Sequence, residues 1–321
     1  MIGYNCDMKG RRNEYDVTNR VNVTDPSAVC NEVCLLLDEL YPDRDLQPLR
    51  KAFQIANDLF CGNYPGYHPC DTPYHDLQHT MDVTLAMARL LFGHERSVGR
   101  SDLLGSELIE LGLVVAIFHD SGYVRRLGDR RNKNGAAYTK RHVSRGGKFL
   151  AKILPELGMV ELAPLARKLI HFTGYEMSVP NISLRQPSHQ VLGKLLGSAD
   201  LIAQMSDRCY LEKCRDRLYP EFVAAGLAGD SDHLFSSSEE LIYQSPAFFK
   251  HVIHDRLGDV MSGVHSYADH FFLPQKNYYQ EALEQNYDYL KRVVEKRDVS
   301  MLRREAPWTL AANPDGVLIT A

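Results

Sequence analysis

The sequence predicts an all-α fold, and three of its features support this prediction. Apolar residues recur three or four positions apart along most of the 321 residues, which is the spacing of one helix face. No stretch shows the sustained apolar–polar alternation between hairpin turns that marks β-strands. Hydrophobic residues make up 44% of the chain and charged residues 24%, so the chain can bury a substantial core. We therefore expect a helical bundle.

The helical pattern can be followed from one end of the chain to the other. In order, the predicted helices cover residues 28–40, 46–60, 80–92, 106–120, 137–154, 162–172, 190–205, 212–225, a segment that begins at Ser238, and 275–297. The 106–120 segment is apolar on nearly every side, so we expect it at the centre of the bundle. Pro155 ends the 137–154 segment, because proline cannot continue the helical hydrogen bonds.

These elements predict a single domain. Residues 1–25 are polar and are expected to form an N-terminal arm, residues 26–300 form one all-α domain, and residues 301–321 form an irregular tail. The chain contains no internal repeat, no low-complexity tract and no sharp change of composition that would mark a second domain.

Charge and cysteine content exclude several classes of partner. The net charge is −4 and the isoelectric point is about 6.4, which predicts no strong attraction to nucleic acid or to an anionic membrane. No apolar run approaches the ~20 residues of a membrane-spanning helix, and the first residues lack the apolar core of a signal peptide. The seven cysteines include no CxxC pair. We therefore expect reduced thiols and a cytoplasmic protein.

Histidine and aspartate recur at the predicted helices in a pattern that suggests a metal centre. His75 and His79 are four residues apart, so a helix places both on one face. A His-Asp pair ends the central helix, and the next candidates follow at intervals of about one helix and a turn. Successive helices of a bundle can in this way each deliver one ligand to a common centre. The candidate ligands are His79, His119, Asp120, His142, His171 and Asp200.

This ligand set predicts the class of metal. Histidine nitrogen combined with carboxylate oxygen suits divalent iron, manganese, zinc or nickel. The carboxylate of Asp120 could bridge two ions, and six ligands could hold two, which is the arrangement that activates water and clamps a phosphoryl group. The alternative is a buried, hydrogen-bonded His-Asp pair without metal.

The series His79, His119-Asp120 and Asp200 resembles the HD superfamily of metal-dependent phosphohydrolases, and residues 115–123 resemble its central signature. His142 and His171 resemble the additional ligands of its binuclear branch. Residues 74–83 are also similar to the first signature of cyclic-nucleotide phosphodiesterases. That similarity implies that His75 protonates the leaving oxygen and that His79 binds metal. Two positions depart from those enzymes: Asp76 stands where they have Asn, and Tyr123 where they have a further His. The resemblance covers roughly residues 50–215, with a helical extension at about 235–300.

Basic residues near this pattern are candidates for substrate binding. Arg145 should share a helix face with His142, and Arg125 follows Asp120 closely. The fork of a guanidinium group suits phosphate oxygens. The alternative is that these side chains belong to a solvated surface loop.

The sequence therefore predicts a metal-dependent phosphohydrolase that cleaves a phosphate ester or phosphodiester, of a nucleotide or similar small molecule, by metal-activated water with His75 as general acid. One alternative is a di-iron oxygenase that uses the same ligands on a small organic substrate, and another is a ligand-sensing module with a vestigial site. A coloured, iron-loaded and oxygen-dependent protein would favour the oxygenase. The sequence leaves the substrate, the native metal and the oligomeric state open.

Overall fold

The computed structural model describes residues 10–230, 233 and 235–308, and over these residues the protein is all-α. Its helices are α1 (Pro26–Leu40), α2 (Gln47–Cys61), α3 (Leu77–Ser97), α4 (Ser106–Phe118), α5 (His142–Ile153), α6 (Ala163–Leu169), α7 (Pro187–Ser206), α8 (Tyr210–Lys213), α9 (Tyr219–Ala224), α10 (Ser238–His251), α11 (Tyr267–Phe272) and α12 (Tyr278–Lys296). The π-helical segments Cys214–Leu218 and Val252–Val260 follow α8 and α10. The described part of the chain contains no β-strand, which confirms the predicted fold class.

Helix α4 lies at the centre of the bundle. All its residues from Ile109 to Phe118 are buried, and α2, α3 and α7 pack around it. Its side chains are apolar on nearly every side, so burial on all faces stabilises it. The helix ends at Phe118, two residues before the predicted end. As a result His119 and Asp120 lie at its C-terminal end, where both side chains can turn toward one point.

Helix α3 is the second core element and contacts helices from both the N-terminal and the C-terminal half of the chain. It packs against α1, α4, α7 and α11. Gly93 permits the close approach of α11, because a Cβ atom there would lie 1.9 Å from the carbonyl oxygen of Tyr267. Helix α12 packs on α7. The C-terminal helices therefore pack directly on the core. No described helix is both long enough and apolar enough to cross a membrane.

Residues 10–25 are held to the bundle more firmly than a polar arm would suggest. Val17 and Val23 are buried, and the Asp16 carboxylate pairs at 2.6 Å with Nη2 of Arg89, a fully buried residue of α3. Asp16 of this segment thus has a buried partner, which composition does not reveal. Residues 1–9 and 309–321, the ends of the predicted arm and tail, lie outside the described residues.

Candidate metal centre

Three core helices bring four of the predicted ligands together. His79 lies in the first turn of α3, and this turn is fixed by the N-cap residue Asp76, whose Oδ1 accepts the backbone N–H of His79 at 2.9 Å. His119 and Asp120 follow the end of α4, and Asp200 projects from α7. All four residues are buried. Asp76 therefore stabilises the start of the helix that carries His79.

The ligand atoms have the spacing of a coordination shell. Nε2 of His79 lies 3.3 Å from Nε2 of His119, 3.4 Å from Oδ2 of Asp120 and 3.4 Å from Oδ1 of Asp200. Nε2 of His119 lies 3.1 Å from Oδ2 of Asp120 and 3.9 Å from Oδ1 of Asp200. Four ligands at about 2.1 Å around a tetrahedral ion would be about 3.4 Å apart. The side chains of His79, His119 and Asp120 thus lie where a single ion could contact all three, and Oδ1 of Asp200 lies within 4 Å of both histidines.

Two further observations fit a cation in this cluster. Nδ1 of His119 lies 2.8 Å from the carbonyl oxygen of Ala116, which can only accept, so Nδ1 carries a proton and Nε2 can offer its lone pair. Buried Oδ2 of Asp120 accepts no hydrogen bond from the described residues, because Nε2 of His119 is close but not aligned. A buried carboxylate oxygen without a donor is costly unless a cation occupies its lone pairs.

The electrostatics of the cluster link cation binding to proton release. Burial alone would lower the pKa of His119, but the carboxylates of Asp120 and Asp200 outweigh it and raise that pKa to about 9. Burial opposes ionisation of Asp120, yet His119 and His75 hold the pKa of its carboxyl well below its usual range. Without a bound cation the cluster therefore holds a proton at neutral pH, and a metal ion must displace it.

His142 approaches the same aspartate from the other side. Nε2 of His142 lies 3.7 Å from Oδ1 of Asp120, whereas Oδ2 faces His79 and His119. Nδ1 of His142 contacts the carbonyl oxygen of Thr139 at 2.8 Å, the same arrangement as in His119. The two oxygens of Asp120 thus face different histidines, which is the disposition of a bridging carboxylate.

The position of His142 depends on a glycine. A Cβ atom at Gly122 would lie 1.8 Å from the carbonyl oxygen of His142 and 2.8 Å from the nitrogen of Gly146. The short turn Ser121–Tyr123 that follows Asp120 therefore packs directly on the start of α5. Without a side chain at this position, His142 can reach the cluster.

His75 lies beside the cluster and is fixed by Glu221, a buried residue of α9. Its Nδ1 contacts Oε1 of Glu221, and Oε2 accepts the backbone N–H groups of Tyr74 at 3.1 Å and His75 at 3.4 Å. The His75 ring stacks on Tyr123 at 4.5 Å, and Tyr123 stacks on His142 at 4.3 Å. Burial alone would lower the pKa of His75, but Glu221 and then Asp120 raise it to about 9. His75 is thus a proton-carrying imidazole held next to the ligand cluster.

His171 does not join the other predicted ligands. It lies in the 3₁₀ turn Ile170–Phe172, because α6 ends at Leu169, and this tighter turn gives His171 a different direction from that in the continuous predicted helix. Within the described residues it forms no ion pair or ring contact with the cluster, and its buried Nδ1 has no hydrogen-bond partner. Its role as a metal ligand stays a prediction.

The two predicted substrate-binding arginines donate hydrogen bonds to other groups of the protein. Nε of Arg145 donates to the carbonyl of Gly122 at 2.7 Å, and its guanidinium group lies 3.4 Å above the ring of Tyr138. Nε of Arg125 pairs with Asp71 at 2.8 Å. These contacts connect the loop after Asp120 to its surroundings. The structure does not bring either guanidinium group to the cluster, and their binding of substrate stays a prediction.

Sequence reasoning missed Glu221 and the role of Tyr123. Glu221 is distant from His75 in sequence and lies in an ordinary helical segment, so no local signal indicates it. Tyr123 was visible only as a departure from the resembled enzymes. Its stacking between His75 and His142 shows that an aromatic ring fills that position.

Comparison with known proteins gives one match. A family model described as Npun_R2479-like matches residues 130–269, which include His142, His171, Asp200 and Glu221 but not His79 or the His119-Asp120 pair. Its description names no activity. No curated protein and no solved structure matches the chain. The chain is therefore similar to this family over its middle portion, and the ligand cluster extends beyond the matched residues.

Proposed function

We propose that the chain is a metal-dependent hydrolase of phosphate esters or phosphodiesters, as its resemblance to the HD superfamily implies. The observation that carries the proposal is a buried cluster of candidate ligands with a further histidine, His75, which Glu221 fixes beside the cluster. A metal-binding or sensing protein needs the cluster alone. A group that can donate a proton next to the cluster is what breaking a bond to oxygen requires.

The residues that would hold the ion are His79, His119, Asp120 and Asp200. Their nitrogen and oxygen donors suit iron, manganese, zinc or nickel. An ion bound there supplies Lewis acidity and lowers the pKa of water in the site. The residues that would hold a second ion are His142 and Asp120, which lie close together. The proposal thus includes two ions, with the first held by more of the predicted ligands than the second.

His75 supplies the proton for the leaving group. Glu221 accepts from Nδ1 and fixes the ring, so Nε2 is free to donate. As water adds to phosphorus and the bond between phosphorus and the leaving oxygen breaks, that oxygen takes the proton from Nε2. The attacking water loses a proton to solvent, and Nε2 regains one from solvent after the product leaves. The charge of Glu221 favours the imidazolium form before the reaction, and the stacked ring of Tyr123 restricts its orientation.

The test compares His75→Ala with the matched surface variant His254→Ala on two substrates. Bis(4-nitrophenyl) phosphate has a leaving group that needs little protonation, whereas 3′,5′-cyclic AMP has an alkoxide leaving group. A general acid contributes roughly 10²–10⁴-fold. We expect His75→Ala to retain its metal and to lose about that factor on the cyclic nucleotide but much less on the nitrophenyl ester. His254→Ala, an exposed histidine, should behave as wild type.

Three results would contradict the proposal. Equal losses on both substrates would exclude proton donation, and loss of metal from His75→Ala would make His75 a ligand. A coloured, iron-loaded protein that consumes oxygen and hydrolyses neither ester would favour the di-iron oxygenase instead.

A further inference from the structure

A groove separate from the ligand cluster lies between α5, α6 and the segment that follows His171. Its volume is about 640 Å³, within the ~300–1,000 Å³ that is usual for sites of small organic ligands. Helices α5 and α6 pack against each other here, with Gly147 of α5 beside Arg167 of α6. The described residues that line the groove include no carboxylate.

The rim of the groove carries positive charge that no described residue neutralises. Lys148 and Arg167 line it from α5 and α6, both are exposed, and neither forms an ion pair or hydrogen bond with a described residue. Lys168 also lines the groove, but its Nζ donates to the carbonyl of Ser183 at 2.9 Å. The nearby carboxylate of Glu176 is already engaged by backbone N–H groups at the start of α5. Two free cations from adjoining helices are suited to one anionic group.

The lining of the groove is more apolar than polar. Met177, Ile182 and Pro164 contribute apolar surface, and Ser144, Asn181 and Ser183 contribute polar groups. His171 also lines the groove, and its Nδ1 is buried without a hydrogen-bond partner among the described residues. A buried nitrogen of this kind costs free energy unless a ligand or water satisfies it. The groove therefore offers an apolar wall, an unsatisfied ring nitrogen and a cationic rim.

We propose that this groove binds an organic phosphate with a compact apolar body, the phosphate at Lys148 and Arg167 and the body against Met177 and Ile182. In this site His171 is a ligand-contacting residue and not a metal ligand. The inference does not depend on hydrolysis at the cluster. A ligand bound here would contact α5, the helix whose first residue is His142.

The test uses phenylphosphonate, which has the required charge and apolar ring and whose phosphorus–carbon bond resists hydrolysis. Its dissociation constant is measured by NMR titration of the full-length protein, with the amide of Gly147 as reporter. Methylphosphonate lacks the apolar body and phenol lacks the charge, so both should bind at least tenfold more weakly. The double variant Lys148→Gln/Arg167→Gln should also weaken binding at least tenfold, since each cation makes a charge-assisted contact.

Three further variants separate this groove from the metal centre. Lys250→Gln/Lys276→Gln removes two exposed lysines elsewhere and should leave binding unchanged. Asp120→Asn should also leave it unchanged, whereas His171→Gln should weaken it and retain bound metal. The proposal is overturned if phenylphosphonate does not bind at millimolar concentration or if the Lys148/Arg167 variant binds as wild type. It is equally overturned if binding is lost only with Asp120→Asn, which would place the ligand at the metal centre.

Discussion

The contact between His75 and Glu221 makes a strong prediction, which the substitution Glu221→Gln tests. Glutamine keeps the size of the side chain and an acceptor oxygen, so the two backbone N–H groups now bound by Oε2 keep a partner. What the substitution removes is the negative charge beside Nδ1 of His75. The experiment therefore changes the electrostatics of the proton donor with little change in packing.

The size of the effect follows from the pKa of His75. With a pKa of about 9, His75 is ~99% protonated at pH 7 and roughly 90% at pH 8. Glu221 is the largest influence that raises this pKa, and burial opposes it. Without the charge, we expect the pKa to fall toward its ordinary value of 6.5, although Asp120 and Asp200 still raise it. If the pKa reached that value, the protonated fraction at pH 8 would fall to about 3%, a loss of roughly 30-fold in the acid form.

The assay measures the pKa directly and then its consequence. Histidine ¹⁵N NMR of the protein after removal of metal by a chelator should show that the titration of His75 moves from near pH 9 toward pH 6.5 in Glu221→Gln. The descending limb of the pH–rate profile for 3′,5′-cyclic AMP should move the same way, with most activity recovered near pH 6. The control is Glu212→Gln, which removes the carboxyl group of another buried glutamate, one whose pKa burial raises.

Either of two results would refute this account of His75. The first is a His75 titration that stays near pH 9 in Glu221→Gln. The second is an equal shift in Glu212→Gln, which would point to a general loss of structure.

Three further predictions concern the same region. Gly122→Ala should lower the free energy of unfolding by about 1–3 kcal/mol and weaken metal binding, because the added Cβ would meet the His142 carbonyl. The control Gly128→Ala places its Cβ in open space and should change neither quantity, as measured by calorimetry and metal titration. His142→Ala should lose at most one ion per chain, and loss of all metal in equilibrium dialysis would contradict this. Chelated protein should lose stability to urea as pH rises from 6.5 to about 9, since His75 and His119 hold protons more tightly when folded; constant stability would count against their raised pKa values.

The helices were predictable from periodicity, but their ends and their interruptions were not. The 106–120 and 190–205 patterns match α4 and α7 closely, because a continuous apolar face can be buried only if the segment is helical along its whole length. The predicted 212–225 helix is instead divided by the π-helical segment Cys214–Leu218. Each π turn holds more residues than an α turn, so a pattern of period 3.6 cannot indicate which face Glu221 takes.

The ligand cluster was predictable where ligands lie at the ends of strong helices. The His119-Asp120 pair follows a segment that can only be buried, so its convergence with His79 on a neighbouring core helix was a physical expectation. Arg145 was predicted to bind phosphate from its charge and spacing. That role stays a prediction; in the structure Arg145 donates to backbone carbonyls of the loop after Asp120, a contact that the sequence does not display.

The measurement that tests the central claim most directly is the metal content of the purified protein after dialysis against iron, manganese, zinc or nickel. We expect at least one tightly bound ion per chain in the wild type and in the exposed-aspartate control Asp255→Ala. Asp120→Ala should retain none, because both carboxylate oxygens face candidate ligands. A wild-type protein that binds none of these ions, or an Asp120→Ala protein that binds as many as the wild type, would contradict the claim that this cluster is a metal centre.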